Sequence, residues 1–242
     1  MTPTKTPLLQ PWLLWVLAHV AGLPVGFGLA VIPEYALNDA LAFAGQVGAV
    51  FLAFATGAAL GLPLGALQWV AIRRAAAPAP WVLGTVVGAA LGATAFAILA
   101  AAITALRIPV LEDAVRDLSA FGTGGYEGQP LGVADTLARG VLWLALGALL
   151  GGGIGLGQWA VRPGRMGPPL RWAVVNLAAG GLALVVGAAL RGLVWELSGA
   201  YETGMVGINL CWTIASIIVG LMVTGALWGL GTWRWVRGWG ST

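Results

Sequence analysis

The chain alternates long apolar stretches with short clusters of charged residues. A charge at the centre of a bilayer costs about 2.5–3.5 kcal/mol, so charge-free stretches mark where a chain can cross the membrane. Six stretches reach the roughly 20 residues that a helix needs to span the hydrocarbon core. They predict helices over 12–32, 43–72, 81–106, 140–161, 172–191 and 205–233. The expected fold is therefore an all-α integral membrane protein with a single transmembrane domain over residues 1–242.

Charged residues fall into two groups on opposite sides of this six-span arrangement. One side holds basic residues alone, namely Lys5, Arg73, Arg74, Arg162, Arg165, Arg171, Arg234 and Arg237. The other side holds all nine acidic residues with Arg107, Arg116, Arg139 and Arg191. Because basic segments stay in the cytoplasm, both termini are predicted to be cytoplasmic. The preference for Arg over Lys and the abundance of Ala and Gly indicate a bacterial, GC-rich source, so the membrane is predicted to be the bacterial inner membrane.

Tryptophans gather at the basic side of the predicted helices. Indole rings favour the boundary between hydrocarbon and head groups, so we interpret these residues as an aromatic belt. They are Trp12, Trp15, Trp69, Trp81, Trp159, Trp172, Trp228, Trp233, Trp235 and Trp239.

Composition restricts the chemistry that this chain can perform. Hydrophobic residues make up 59% and charged residues 9% of the sequence, against roughly 25% charged residues in soluble domains. A single His and a single Cys cannot build a typical zinc, haem or iron–sulfur site. The only Lys precedes any glycine-rich run, and no Ser lies in a G-x-S-x-G context. We therefore expect no enzymatic activity, no metal and no cofactor. The net charge of +3 reflects topology, so no nucleic-acid partner is expected.

One five-residue motif closes each even-numbered predicted helix. It reads Gly-Ala-Leu-Gln-Trp at 65–69, Gly-Leu-Gly-Gln-Trp at 155–159 and Gly-Leu-Gly-Thr-Trp at 229–233, and an Arg follows each copy. Recurrence at matching positions indicates internal repeats. We therefore predict three helical hairpins, at approximately 12–74, 81–165 and 172–237.

Each predicted hairpin also carries a Tyr–Glu pair in its outer connection. The pairs are Glu34 with Tyr35, Tyr126 with Glu127, and Tyr201 with Glu202. The tyrosines precede the Gln or Thr of the motif by 33, 32 and 31 residues. Around a pseudo-threefold axis the pairs would meet at one mouth, where clustered carboxylates attract a cation or a basic partner. The alternative is that Tyr anchors the interface and Glu only follows the topology.

The middle hairpin contains an insertion with the pattern of a short amphipathic helix. Pro109 suits the first helical position, and Glu112 and Arg116 are spaced for an ion pair. One face carries the apolar residues Leu111, Ala114, Val115 and Leu118. We predict a helix near 109–120 that lies on the outer membrane surface.

Glycines recur at every fourth position in five of the six predicted helices. The rows are Gly22/Gly26, Gly57/Gly61/Gly65, Gly84/Gly88/Gly92, Gly147/Gly151/Gly155 and Gly225/Gly229. Such rows let helix backbones approach closely, and this matters in lipid because no hydrophobic effect holds helices together there. A compact bundle is therefore expected rather than a large central cavity.

The chain resembles a group of bacterial multi-spanning membrane proteins whose helices end in G-x-x-x-G-x-x-Gln-Trp, followed by Arg and a Trp-led return helix. The matching residues are Gly61, Gly65, Gln68, Trp69, Arg73 and Trp81, and again Gly151, Gly155, Gln158, Trp159, Arg162 and Trp172. The third hairpin matches loosely, because Thr232 replaces Gln. The resemblance implies a helix-hairpin membrane fold and no particular activity.

Four of the amides within the predicted spans are candidates for a structural role, namely Gln68, Gln158, Asn176 and Asn209. A buried amide without a partner is costly in lipid. We expect each to bond a backbone group or an indole of the neighbouring helix and so fix a hairpin. The alternative is a polar ring that contacts a substrate or a lipid head group.

His19 lies near the middle of the first predicted helix, one turn before Gly22. We expect a structural, hydrogen-bonded histidine. Two alternatives remain open. One is ligation of a chlorophyll-type pigment, which needs a single axial ligand, and the other is a role in transport or proton relay.

Two functional hypotheses follow from these patterns. The first is a non-enzymatic structural or accessory subunit of a larger membrane complex, such as an energy-transducing one, whose partners are membrane lipids and other membrane subunits. The second is a small-molecule transporter or substrate-capturing component, because internal repeats and an acidic mouth are typical of such proteins. Broken helices and buried charge, which mark transporter sites, are not evident apart from Pro24 and Pro63.

Overall fold

The computed structural model describes residues 11–42, 44–73, 77–119, 133–161, 169–197 and 206–236. These residues form helices α1 (Pro11–Ala42), α2 (Gly45–Ile72), α3 (Pro78–Ala105), α4 (Pro109–Ser119), α5 (Val133–Ala160), α6 (Pro169–Leu197) and α7 (Val206–Val236). Within the described ranges there are no strands. Six of the helices, all except α4, are long and apolar enough to cross a membrane. The predicted all-α, six-span fold is therefore confirmed.

The largest departure from the predicted spans is the length of α1. This helix continues through Glu34 and Asp39 and ends at Ala42, whereas the prediction ended at 32. A charged residue has to leave the hydrocarbon core, but it need not end a helix, because head groups and water solvate its side chain. Gly45, with φ +55°, then begins α2 after a short turn. Glu34 and Tyr35 are thus helical, which corrects their predicted place in a connection.

The six spanning helices pack in a closed ring that follows the chain order. Each contacts the preceding and the following spanning helix, and α7 closes the ring against α1. α1 and α2 continue unbroken through their internal prolines, which are Pro24, Pro33 and Pro63. The described backbone in these two helices therefore offers no unwound segment of the kind that forms transporter sites.

Glycine rows line the contacts between neighbouring helices. The row of Gly57, Gly61 and Gly65 on α2 faces α3, and Gly225 and Gly229 on α7 face α1. The other rows follow the same rule, with Gly22 and Gly26 against α2, Gly84, Gly88 and Gly92 against α5, and Gly147 and Gly151 against α6. Backbones meet at these points with no room for a side chain, which is the geometry that stabilises helix pairs in lipid.

α4 forms where the amphipathic pattern predicts a helix, and it packs against α3 and α5 at one end of the ring. Its Ala114 is buried with Ile103 of α3 and with Ala138 and Leu142 of α5. Leu111 and Val115 pack against the same cluster. The apolar face of α4 is therefore covered by the ends of α3 and α5, while Asp113 on the polar face is exposed.

Candidate functional site

Three tryptophans form a buried cluster at the end of the ring opposite α4. Trp15, Trp81 and Trp172 are each 1% exposed and lie in one cluster with Ile72. They stand near the starts of α1, α3 and α6, the first helices of the three predicted hairpins. We call them the tryptophan cluster.

The aromatic-belt interpretation is wrong for four residues. Besides the tryptophan cluster, Trp228 is only 3% exposed and packs in the middle of the ring. Their indoles contact other helices instead of lipid head groups, because the rotation of each helix turns these positions toward the ring interior. Trp12, by contrast, is 38% exposed.

A layer of polar side chains lies one helical turn further into the ring. The polar layer consists of His19, Gln68, Thr85, Gln158, Asn176 and Thr232, each at most 2% exposed. Three of its members follow a residue of the tryptophan cluster by four positions and bond that residue's carbonyl oxygen. These bonds are His19 Nδ1 to Trp15 (2.9 Å), Thr85 Oγ1 to Trp81 (3.0 Å) and Asn176 Nδ2 to Trp172 (3.1 Å).

The two glutamines of the layer connect the first and second predicted hairpins. Gln68 Nε2 lies 2.9 Å from His19 Nε2, within the first hairpin. Gln158 Nε2 donates to Gln68 Oε1 at 2.8 Å and to Thr85 Oγ1 at 3.0 Å. The partners of the glutamines are thus other members of the polar layer rather than the expected backbone group or indole.

The backbone carbonyls of Trp15 and Trp81 fix the direction of the hydrogen bonds that link His19, Gln68, Gln158 and Thr85. A carbonyl oxygen only accepts, so Trp15 O requires a proton on His19 Nδ1. In the neutral ring Nε2 then accepts from Gln68, which turns Gln68 Oε1 toward the Gln158 amide nitrogen. At the other end, the Thr85 hydroxyl donates to Trp81 O and its oxygen therefore accepts from Gln158. The two hydrogens of the Gln158 amide satisfy both requirements.

The third hairpin satisfies its polar groups differently. Trp228 stands four residues before Thr232, and its indole donates to Asn176 Oδ1 at 3.1 Å. Thr232 accepts from the Trp15 indole at 2.9 Å and donates to the Trp228 carbonyl at 2.9 Å. Asn176 thus contacts both a backbone carbonyl and a neighbouring indole. Because Trp228 supplies a polar contact here, the motif position can be Thr rather than Gln.

His19 uses both ring nitrogens in bonds inside the bundle and is fully buried. Its ring also lies 4.9 Å from that of Trp15 and 6.2 Å from that of Trp228, measured between centroids. Ligation of a pigment by Nε2 would first require displacement of Gln68. This geometry favours the structural reading of His19. Among the described residues there is also no group of three His, Cys, Asp or Glu side chains placed to hold a metal.

Sequence reasoning missed Thr85 and the inward position of the three tryptophans. The sequence does contain a pattern that indicates this arrangement. Near the start of α1, α3 and α6, a Trp is followed four residues later by a polar residue. That spacing places both side chains on one helix face, and the polar side chain can bond the Trp carbonyl.

The predicted outer mouth is only partly within the described structure. Tyr35 is 85% exposed near the end of α1. Tyr126, Glu127, Tyr201 and Glu202 lie outside the described residues, as do the side chains of Glu34 and Asn209. That the three Tyr–Glu pairs meet at one mouth stays a prediction.

A pocket opens between α5, α6 and α7. It is lined mainly by apolar residues, including Trp143, Leu184 and Ile217, with Thr224 as a polar contributor, and its volume is about 20 Å³. That space suits about one water molecule and is far smaller than a ligand pocket of several hundred Å³.

Comparison of the chain with protein-family models, with curated proteins and with solved structures gives no match.

Proposed function

We propose that this protein is a non-enzymatic integral membrane protein that serves as a structural or accessory subunit of a larger membrane complex. The observation that carries the proposal is the polar layer, whose side chains bond one another at the centre of a closed ring. A catalytic or transport site needs polar groups that face a substrate, whereas every residue of the polar layer bonds another residue of the chain, and Gln158 Oε1 is the one polar side-chain atom of the layer without a partner. Contacts with lipids and other subunits would then be made by the outer surface and the helix connections.

We also propose that the ring consists of three repeated hairpins in a bacterial inner membrane. The shared positions of Trp15, Trp81 and Trp172 support the repeat, since each begins a hairpin and is followed by a polar residue of the layer. The role in a larger complex, such as an energy-transducing one, and the threefold repeat are independent proposals.

The subunit proposal is tested by recovery from native membranes. With an affinity tag at one terminus and extraction in a mild detergent, we expect the 24.7 kDa chain to migrate on native gels in a much larger particle. Other membrane proteins should co-purify in a fixed ratio. A tagged multi-pass protein of similar size from the same host serves as the control for micelle mass. Recovery as a monomer in every mild detergent would contradict the proposal.

The proposed topology predicts the side of each connection. Reporter fusions after Ala36, in the outer end of α1, and after Gly125 and Ala200 should report the outside, and those after Ala77, Met166 and Thr242 the inside. Alkaline phosphatase and green fluorescent protein fused at the same sites report opposite sides and control for expression. A single reversed pair of signals would contradict the six-span orientation.

A further inference from the structure

His19 is the only histidine of the protein, and it lies near one end of a series of hydrogen bonds whose directions are fixed. The bonds run from the Gln158 amide through Gln68 to His19 Nε2, and from His19 Nδ1 to the Trp15 carbonyl. Each donor in this series points toward Trp15 O. A change in the donor character of one atom therefore affects the bonds beyond it.

We propose that His19, Gln68 and Gln158 form a proton-linked switch, in which one proton on His19 Nε2 reverses both glutamine amides. The proton comes from water and adds to the Nε2 lone pair without breaking a covalent bond. Nδ1 keeps its bond to Trp15 O, because that carbonyl accepts in either state. Nε2 becomes a donor and now faces the donor nitrogen of Gln68.

The contact between these two donors is relieved when the side-chain amides of Gln68 and then Gln158 rotate by about 180°. Gln68 must present Oε1 to His19, which directs its nitrogen at Gln158. Gln158 must then present Oε1 to Gln68. That oxygen has no hydrogen-bond partner in the present arrangement and gains one by the turn, while the Gln158 nitrogen gives up its bonds to Gln68 and Thr85. Thr85 loses its donor from Gln158 and can turn its hydroxyl from the Trp81 carbonyl to the same oxygen.

The switch crosses the boundary between the first and second predicted hairpins. His19 lies on α1, Gln68 on α2, Thr85 on α3 and Gln158 on α5, so a proton on α1 changes bonds on three other helices. None of the described residues that contact His19 carries a charge. α1 contributes Trp15, α2 contributes Gln68, and α7 contributes Trp228, Gly225 and Gly229, none of which titrates.

Solid-state NMR of the full chain in lipid bilayers, with ¹⁵N-labelled His and Gln, tests the switch. In the neutral state the single imidazole should carry its proton on Nδ1, with Nε2 as the unprotonated acceptor. On acidification to pH 4, protonation of Nε2 should shift the side-chain amide signals of Gln68 and Gln158 with the same midpoint as the imidazole. Gln46, exposed on α2, is the internal reference and should not follow.

A matched pair of variants separates coupling from a general effect of acid. In Gln68→Met the signal of Gln158 should stop following the imidazole, whereas in Gln46→Met the coupling should match wild type. A neutral tautomer with the proton on Nε2 would overturn the proposal. So would amide signals of Gln68 and Gln158 that ignore the imidazole titration, or an imidazole that stays neutral over the whole range. The wild-type titration decides these points even if Gln68→Met does not fold.

Discussion

Gly61→Leu should separate α2 from α3 and lower the free energy of unfolding by about 3 kcal/mol. A Cβ atom at Gly61 would lie 2.9 Å from the Thr85 carbonyl oxygen, the Val86 Cα and the Ala89 Cβ. Two of these are backbone atoms, which cannot move aside as a flexible side chain can. The helices must therefore shift apart, and the close packing that stabilises them in lipid is lost along the whole row.

The measurement is unfolding in mixed detergent micelles with increasing dodecyl sulfate, monitored by the near-ultraviolet circular dichroism of the buried tryptophans. Gly28→Leu on α1 is the matched control, because a Cβ there meets no atom within 4 Å. It should unfold close to wild type. If Gly61→Leu unfolds at the wild-type midpoint, the glycine row does not form the α2–α3 contact.

Gln68→Met should have the second largest effect, a loss of about 2 kcal/mol. The substitution keeps the approximate length of the side chain but removes the donor to His19 Nε2 and the acceptor of the Gln158 amide. Hydrogen bonds between membrane helices average only about 0.6 kcal/mol, since groups released into the unfolded state find other partners. The larger value is expected here because two buried groups lose their partner at once.

Gln46→Met on the same helix is the control, since Gln46 is exposed and the chemical change is identical. It should unfold like wild type under the same titration. The double variant with Gln158→Met should cost less than the sum of the two single variants, because the second change removes a donor that the first left without its acceptor. Strictly additive losses would show that the two glutamines do not interact.

The sequence by itself determined the number of spans and the short helix α4. Both depend on local rules, namely the cost of charge in lipid and the spacing of apolar residues along one chain segment. The end of α1 was less predictable. Glu34 and Asp39 limit the hydrocarbon span, but the helix continues to Ala42 because hydrogen bonding along the backbone does not depend on the solvent around the side chains.

The tertiary structure alone decided which face of each helix points inward. In a soluble helix the polar face marks the outside, but in lipid both the core and the surface are apolar, so hydropathy carries little information on rotation. For this reason Trp15, Trp81 and Trp172 were interpreted as an interfacial belt although they fill the ring interior. The glycine rows indicated close contacts from sequence, but not that Gly61 meets α3.

The partners of the polar residues were likewise fixed only by the closure of the ring. The sequence showed that Gln68 and Gln158 would need partners, because an unsatisfied amide is costly in lipid. Their bond joins residues 90 positions apart and depends on α2, α3 and α5 meeting around one interior. Burial in lipid favours hydrogen bonding of such residues, and only the arrangement of the helices decides with which partner.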